Sequence, residues 1–184
     1  MSESNVIRPF GDIAPVVDAG PVDVVPEQNK EKREQIRELE QSIHENIESG
    51  DVDERDPPVR HYFSKGVYCR EMFISKGTLV IGKIHKTAHL NIISMGCVSV
   101  TTQYGSDNLS APHTFKSEIG TQRAVYAHED TVWTTIHPTE LTDVDEIEEQ
   151  IIAKSFSEID KLLIEAGEQM KTIEQVIIEE GNQS

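Results

Sequence analysis

Cysteine is scarce: Cys69 and Cys97 are the only two in 184 residues. Two thiols make no disulfide framework, and they read as reduced core residues of a cytosolic product. Aromatics are 5% and hydrophobic residues 36% of the chain, which limits it to one modest core. No run reaches the roughly 18 consecutive apolar residues of a membrane span. The opening MSESNVIRPFGDIAPVVDAG has neither the basic start nor the apolar stretch of a secretory signal. Lys and Arg number 17 against 33 Asp and Glu, a formal net charge of −16, so phosphate is repelled and nucleic acid is excluded as a general partner. A Gly-rich phosphate loop, a Cys-x-x-Cys pair and a Gly-x-Ser-x-Gly elbow are all missing. Their absence removes the usual grounds for nucleotide, redox or serine-nucleophile chemistry.

The charge that is there is unevenly placed. Up to residue 56 the chain carries 15 acids and 6 bases, and after residue 139 it carries 13 acids and 3 bases. The stretch between has 5 acids and 8 bases. A nearly neutral centre with acidic flanks predicts one globular domain with appended segments. The boundaries read as an extended arm over 1–27, a helix and linker over 28–58, a β domain over 59–139 and a helical segment over 140–184.

The arm holds Pro9, Pro15, Pro21 and Pro26 and small apolar clusters such as Val16-Val17 and Val24-Val25. That composition suits a segment laid along a partner surface. Ile36, Leu39, Ile43 and Ile47 predict an amphipathic helix over 28–49. Between 59 and 139, short β-rich runs alternate with turn signals. Strands are expected near 61–64, 67–74, 78–85, 89–95, 97–103, 112–116, 122–128 and 131–137, with Gly105-Ser106-Asp107-Asn108 as one of the turns. The pattern is that of an antiparallel sandwich, barrel or jelly roll.

Beyond it, Thr142 or Asp143 can cap a helix begun by Val144, Ile147 and Ile151. The phase is lost near Ser155-Phe156, where a break is expected. Ile159, Leu163, Ala166, Met170, Ile173 and Ile177 then follow a heptad spacing. Such a seam fits a coiled-coil-type helix at an interface between copies, in a dimer or trimer. Packing of the same seam on the chain's own sheet is the alternative.

The centre of the chain resembles the cupin superfamily. Gly77 is followed by five residues, then Lys83-Ile84-His85, three residues, His89, six residues and Gly96. These are the intervals of the family's first motif. The second motif's frame falls on Glu118-Ile119-Gly120-Thr121-Gln122-Arg123. The resemblance implies an antiparallel β-barrel whose ligand positions read Lys83, His85, His89 and Arg123. Two of those are cations and no carboxylate remains, so the set implies neither a metal nor another cofactor, with His85 and His89 as the residual metal candidates. His113, His128 and His137 are further imidazoles able to converge on them. Arg123 is expected to pair with Glu118, Glu129 or Glu71, or else to point inward with Lys83 and bind an anion.

The runs KGVYCREMFI, KGTLVIGKIHKTAHLNIISMGCVSV and GTQRAVYAHEDTVWTTIHPTE are similar to a group of small cupin-like proteins of tailed bacteriophages. That similarity implies a viral origin. With the arm and the seam, it leads to a non-catalytic structural protein associated with the virion and made in the host cytoplasm. Its partners would be its own copies and other phage structural proteins, with no nucleic acid and no membrane. The alternatives are a metal-dependent or small-molecule-binding cupin acting in the infected cell, and an acidic host-directed inhibitor.

Overall fold

The computed structural model describes residues 27–49 and 56–181, with side chains over 30–49 and 56–169. Helix α1 spans Glu27–Ser49. The strands are β1 Val59–Ser64, β2 Val67–Ile74, β3 Leu79–Ile81, β4 Ile84–His85, β5 His89–Met95, β6 Cys97–Thr102, β7 Gly105–Ser110, β8 His113–Ser117, β9 Arg123–Ala127 and β10 Thr131–Pro138. Helix α2 Val144–Ile151, strand β11 Ile152–Ala153 and helix α3 Phe156–Gly181 complete the order. The expected break near Ser155-Phe156 is real. No described helix is long and apolar enough to cross a membrane.

The strands form two main antiparallel sheets, β1-β2-β10-β5-β8 and β3-β9-β6-β7, with β11 and β4 as a separate pair. Among the described residues no hydrogen-bonded ladder joins the sheets, so the expected barrel is an open sandwich. Ile74, Ile93 and Trp133 of one sheet meet Val98, Val100, Val125 and Ala127 of the other in the main core. Two further differences from the sequence reading have local causes. Gly105-Ser106-Asp107-Asn108, expected as a turn, instead opens the edge strand Gly105–Ser110, whose whole length pairs with β6. The expected strand 78–85 divides, because the Gly82 amide bonds the Arg123 carbonyl while β4 leaves to pair with β11.

Period-two alternation sorts the site residues. On β10, Thr131, Trp133 and His137 are buried, and on β5 the same is true of His89, Asn91 and Ile93. The inner face of the larger sheet is therefore apolar at one end and polar at the other.

The C-terminal segment completes this polar end. Asp143 Oδ1 accepts from the amides of Asp145 and Glu146, which starts α2. Ile147 and Ile151 then pack on Tyr68. Ile159, expected at an interface between copies, is fully buried with Ile84 and Ala153 of its own chain, and Leu163 packs beside them. Two of the seam residues thus close the sandwich, because β11 brings α3 back onto β4. Ala166 is exposed, and the side chains of Met170, Ile173 and Ile177 lie outside the described set. Helix α1 joins the same corner: Arg33 pairs with Asp160 at 3.1 Å and lies 4.3 Å from the Phe156 ring. Ile36 is buried, whereas Leu39 faces out.

Of the motif glycines, Gly77 has φ +82° in an open turn, while Gly96 and Gly120 sit where the chain is crowded. At Gly96 φ is +92°, and a Cβ would lie 2.5 Å from the Asp130 carbonyl oxygen and 2.8 Å from the Thr131 Cα. Gly96→Ala is expected to lower stability by about 3 kcal/mol, combining backbone strain with overpacking. An unchanged urea midpoint would contradict this. At Gly120, with φ +75°, a Cβ would meet Ile159 Cγ2 at 2.8 Å. Its amide bonds the His85 carbonyl at 2.8 Å, so this glycine lets α3 and the His85 strand approach each other.

Candidate metal centre

Three imidazoles meet at the polar end of the sandwich. His85 comes from β4, His89 opens β5 and His137 lies near the end of β10. The β10–β5 register places Ile136 opposite Leu90, so the next residue on each strand is His137 and His89. His85 is fixed from the other side: it pairs with Ile152, and the following amide of Lys86 bonds the Ile151 carbonyl at 2.7 Å. Ring centroids are 4.2 Å apart for His85–His89, 4.6 Å for His89–His137 and 5.2 Å for His85–His137.

One nitrogen of each ring lies within 4.8 Å of the other two. Nitrogens on a tetrahedral ion with bonds of about 2.05 Å stand roughly 3.3 Å apart, so modest ring rotation closes the set. The nitrogens are also uncommitted. His85 Nδ1, His89 Nε2 and His137 Nδ1 are buried and have no hydrogen-bond partner among the described residues. Of six such side-chain atoms, five belong to these histidines and to Thr87 and Thr135, so the unpaired polarity concentrates here. The Thr87 carbonyl accepts from His89 Nδ1 at 3.2 Å, which leaves the Nε2 lone pair facing its neighbours.

Burial holds all three rings neutral. It lowers His85 to about 2, with the other two histidines and Arg123 and Arg70 adding to the effect. His89 falls to about 4 through burial, opposed by its Thr87 bond and assisted by Arg123. His137 falls to about 4 through burial, His89 and Arg70. At neutral pH no proton competes for these nitrogens.

The imidazoles open onto a cavity of about 230 Å³ lined also by Tyr68, Arg70, Asn91, Arg123, Trp133 and Thr135. Glu148, Ile151 and Ile152 close it from the C-terminal segment. Tyr68 is buried, and its hydroxyl and His61 Nδ1 are hydrogen-bonded at 2.7 Å.

The sequence-predicted positions divide accordingly. His85 and His89 come together as expected from their spacing. The third ring is His137, not a residue of the Arg123 position. Lys83, inward only in the alternative anion-binding reading, is exposed at the cavity mouth and pairs with Glu148 at 2.6 Å. Arg123 does point inward, with Val125 and Ala127, but none of its expected carboxylate partners holds it. Glu118 pairs with Lys116, Glu71 pairs with Arg60, and Arg123 donates to Ser117 Oγ. His113 lies beside Phe115, and His128 is an exposed partner of Ser99, so neither reaches the centre. Arg70 and Tyr68 escaped the sequence reading, although both alternate with Met72 and Ile74 on the inner face of β2.

No protein-family model and no curated protein matches the chain. Solved structures with a similar arrangement of strands include ectoine synthase from P. lautus, at 12% identity and TM-score 0.45, covering 53% of this chain and 75% of that one. A cupin-2 domain protein from Shewanella frigidimarina matches at 15% identity and TM-score 0.38, covering 51% and 91%. A cupin superfamily protein from Desulfitobacterium hafniense matches at 14% identity and TM-score 0.38, covering 47% and 83%. The likeness is one of strand arrangement, and the site rests on its own geometry.

Proposed function

We propose that this chain is a metal-dependent, small-molecule-binding protein of the cupin type, with His85, His89 and His137 as the protein ligands of one divalent transition metal. The observation that carries this reading is the convergence of three buried, neutral imidazole nitrogens that have no other partner. Imidazole donors suit zinc, iron, nickel, cobalt or copper. Three protein ligands leave a position open, as in catalytic rather than structural sites. When bound, the ion would supply Lewis-acid polarisation of a ligand atom. The chain's own residues keep the donors deprotonated, fix their orientation from three strands and exclude bulk water.

This reading favours metal-dependent chemistry on a small molecule over the non-catalytic virion role. That role draws on the arm over 1–27 and on Met170, Ile173 and Ile177, which lie outside the described side chains. Chelator-treated full-length protein titrated with cobalt(II) is expected to bind one equivalent, read from visible absorption. Tight binding at that stoichiometry should vanish in His137→Ala. Equal binding by the variant, or none by the parent, would overturn the proposal.

A further inference from the structure

The cavity beside the three imidazoles has an unbalanced charge. Arg70 and Arg123 both line it, and neither has a carboxylate within ion-pair distance among the described residues. The acids nearest the cavity do not correct this. Glu148 is occupied by Lys83, and Asp56 is exposed at the mouth. The inner wall therefore carries two guanidinium groups that no described carboxylate neutralises.

Arg123 is also held in place. Trp133 Nε1 donates to Asn91 Oδ1 at 3.0 Å, Asn91 Nδ2 donates to Ser117 Oγ at 2.5 Å, and Arg123 donates to the same Ser117 oxygen. Asn91 and Ser117 are almost completely buried. The guanidinium further lies 5.5 Å from the Phe115 ring. A fully bonded polar chain thus crosses the sheet and ends on one edge of the guanidinium, leaving its other donors for the cavity. Arg70 sits across β10 from Asn91, the middle of that polar chain: Arg70 pairs with Thr135, which pairs in turn with Asn91, and both arginines line the cavity. Among the described residues its guanidinium makes a weak hydrogen bond, to Met72 Sδ at 3.8 Å. Burial lowers Arg123 to about 10, so it stays charged at neutral pH.

We infer that the cavity takes a small carboxylate, its anionic end on Arg123 and Arg70 and its other end toward His85, His89 and His137. A planar carboxylate matches the guanidinium fork, and a volume of about 230 Å³ admits a small metabolite but no polymer. The inference rests on the metal-centre reading for the far end of the ligand, but the arginine anchor is independent of it.

The test is calorimetry of full-length protein, metal-free and cobalt-loaded, with acetate, pyruvate and succinate. Pyruvamide serves as the neutral counterpart of pyruvate, and inorganic phosphate as the non-planar anion. At least one carboxylate is expected to bind the loaded protein. Arg123→Gln and Arg70→Gln should each weaken it by about 10- to 100-fold, the range for a lost charge-assisted hydrogen bond. Pyruvamide should bind more weakly than pyruvate. Because Arg123 is tied into the buried chain, Arg70→Gln serves if Arg123→Gln fails to fold, and near-ultraviolet dichroism of Trp133 reports folding. Cobalt uptake with no carboxylate binding would overturn this inference and leave the metal centre standing. So would carboxylate binding that ignores both substitutions, or phosphate binding more tightly than every carboxylate. Arginine-dependent carboxylate binding with no cobalt uptake would overturn the metal centre and sustain the anchor.

Discussion

Between pH 6.5 and 5.5 the metal-free protein is expected to lose about 3 kcal/mol of folding stability. The unfolded chain takes up protons on its histidines near pH 6.5. In the folded chain His85 resists protonation down to about 2, and His89 and His137 down to about 4. Below pH 6.5 the unfolded state therefore binds more protons than the folded one, and stability falls as pH falls. It is fully present above pH 6.5 and erodes through the window down to about 4, with His85 extending the loss further. Three such groups each contribute about 1 kcal/mol over that first unit of pH. This is a large share of the roughly 5–15 kcal/mol that holds a domain folded. Urea unfolding across the range should show it, and saturating metal should raise stability throughout the window without flattening the slope, because the protons are taken up by the unfolded chain. A flat profile in the metal-free protein would mean the rings are not buried and neutral.

Replacing His89 by Gln is expected to lower two properties together, cobalt affinity and acid sensitivity. Cobalt(II) affinity should fall by more than the about 100-fold that loss of an outer partner alone can cost. His89 Nε2 is a donor itself, and its Nδ1 is already committed to the Thr87 carbonyl. Acid sensitivity of the metal-free protein should decrease at the same time. One of the three depressed imidazoles is gone, and about 1 kcal/mol of the loss between pH 6.5 and 5.5 goes with it. Gln keeps most of the side-chain volume, so the packing change stays small. A merely structural histidine would lose stability at every pH and leave metal binding alone. That outcome would remove His89 from the centre.

Much of this site is written in the sequence, but not its assembly. The interval between His85 and His89 is visible, and so is the alternation that puts Trp133 and His137 on one face of β10. The β10–β5 register that joins His137 to His89 is a tertiary property. The inward turn of Arg123 follows from strand period. Lys83 shares that period with His85 and yet faces out, because the break between β3 and β4 at Gly82-Lys83 interrupts the alternation. Strand β7 is hidden because GSDNLS has no apolar alternation, and its edge position needs none. Strand β11 is two residues long, too short for any pattern, although it positions His85. The heptad spacing from Ile159 is genuine, but spacing cannot say what a stripe packs on. Here its first two residues cover the chain's own β4.

The most direct test of the account is a crystal of cobalt-soaked full-length protein measured at the cobalt absorption edge. One anomalous peak is predicted, about 2.1 Å from a nitrogen of each of His85, His89 and His137. A peak elsewhere on the acidic surface, with these three nitrogens uncoordinated, would contradict it.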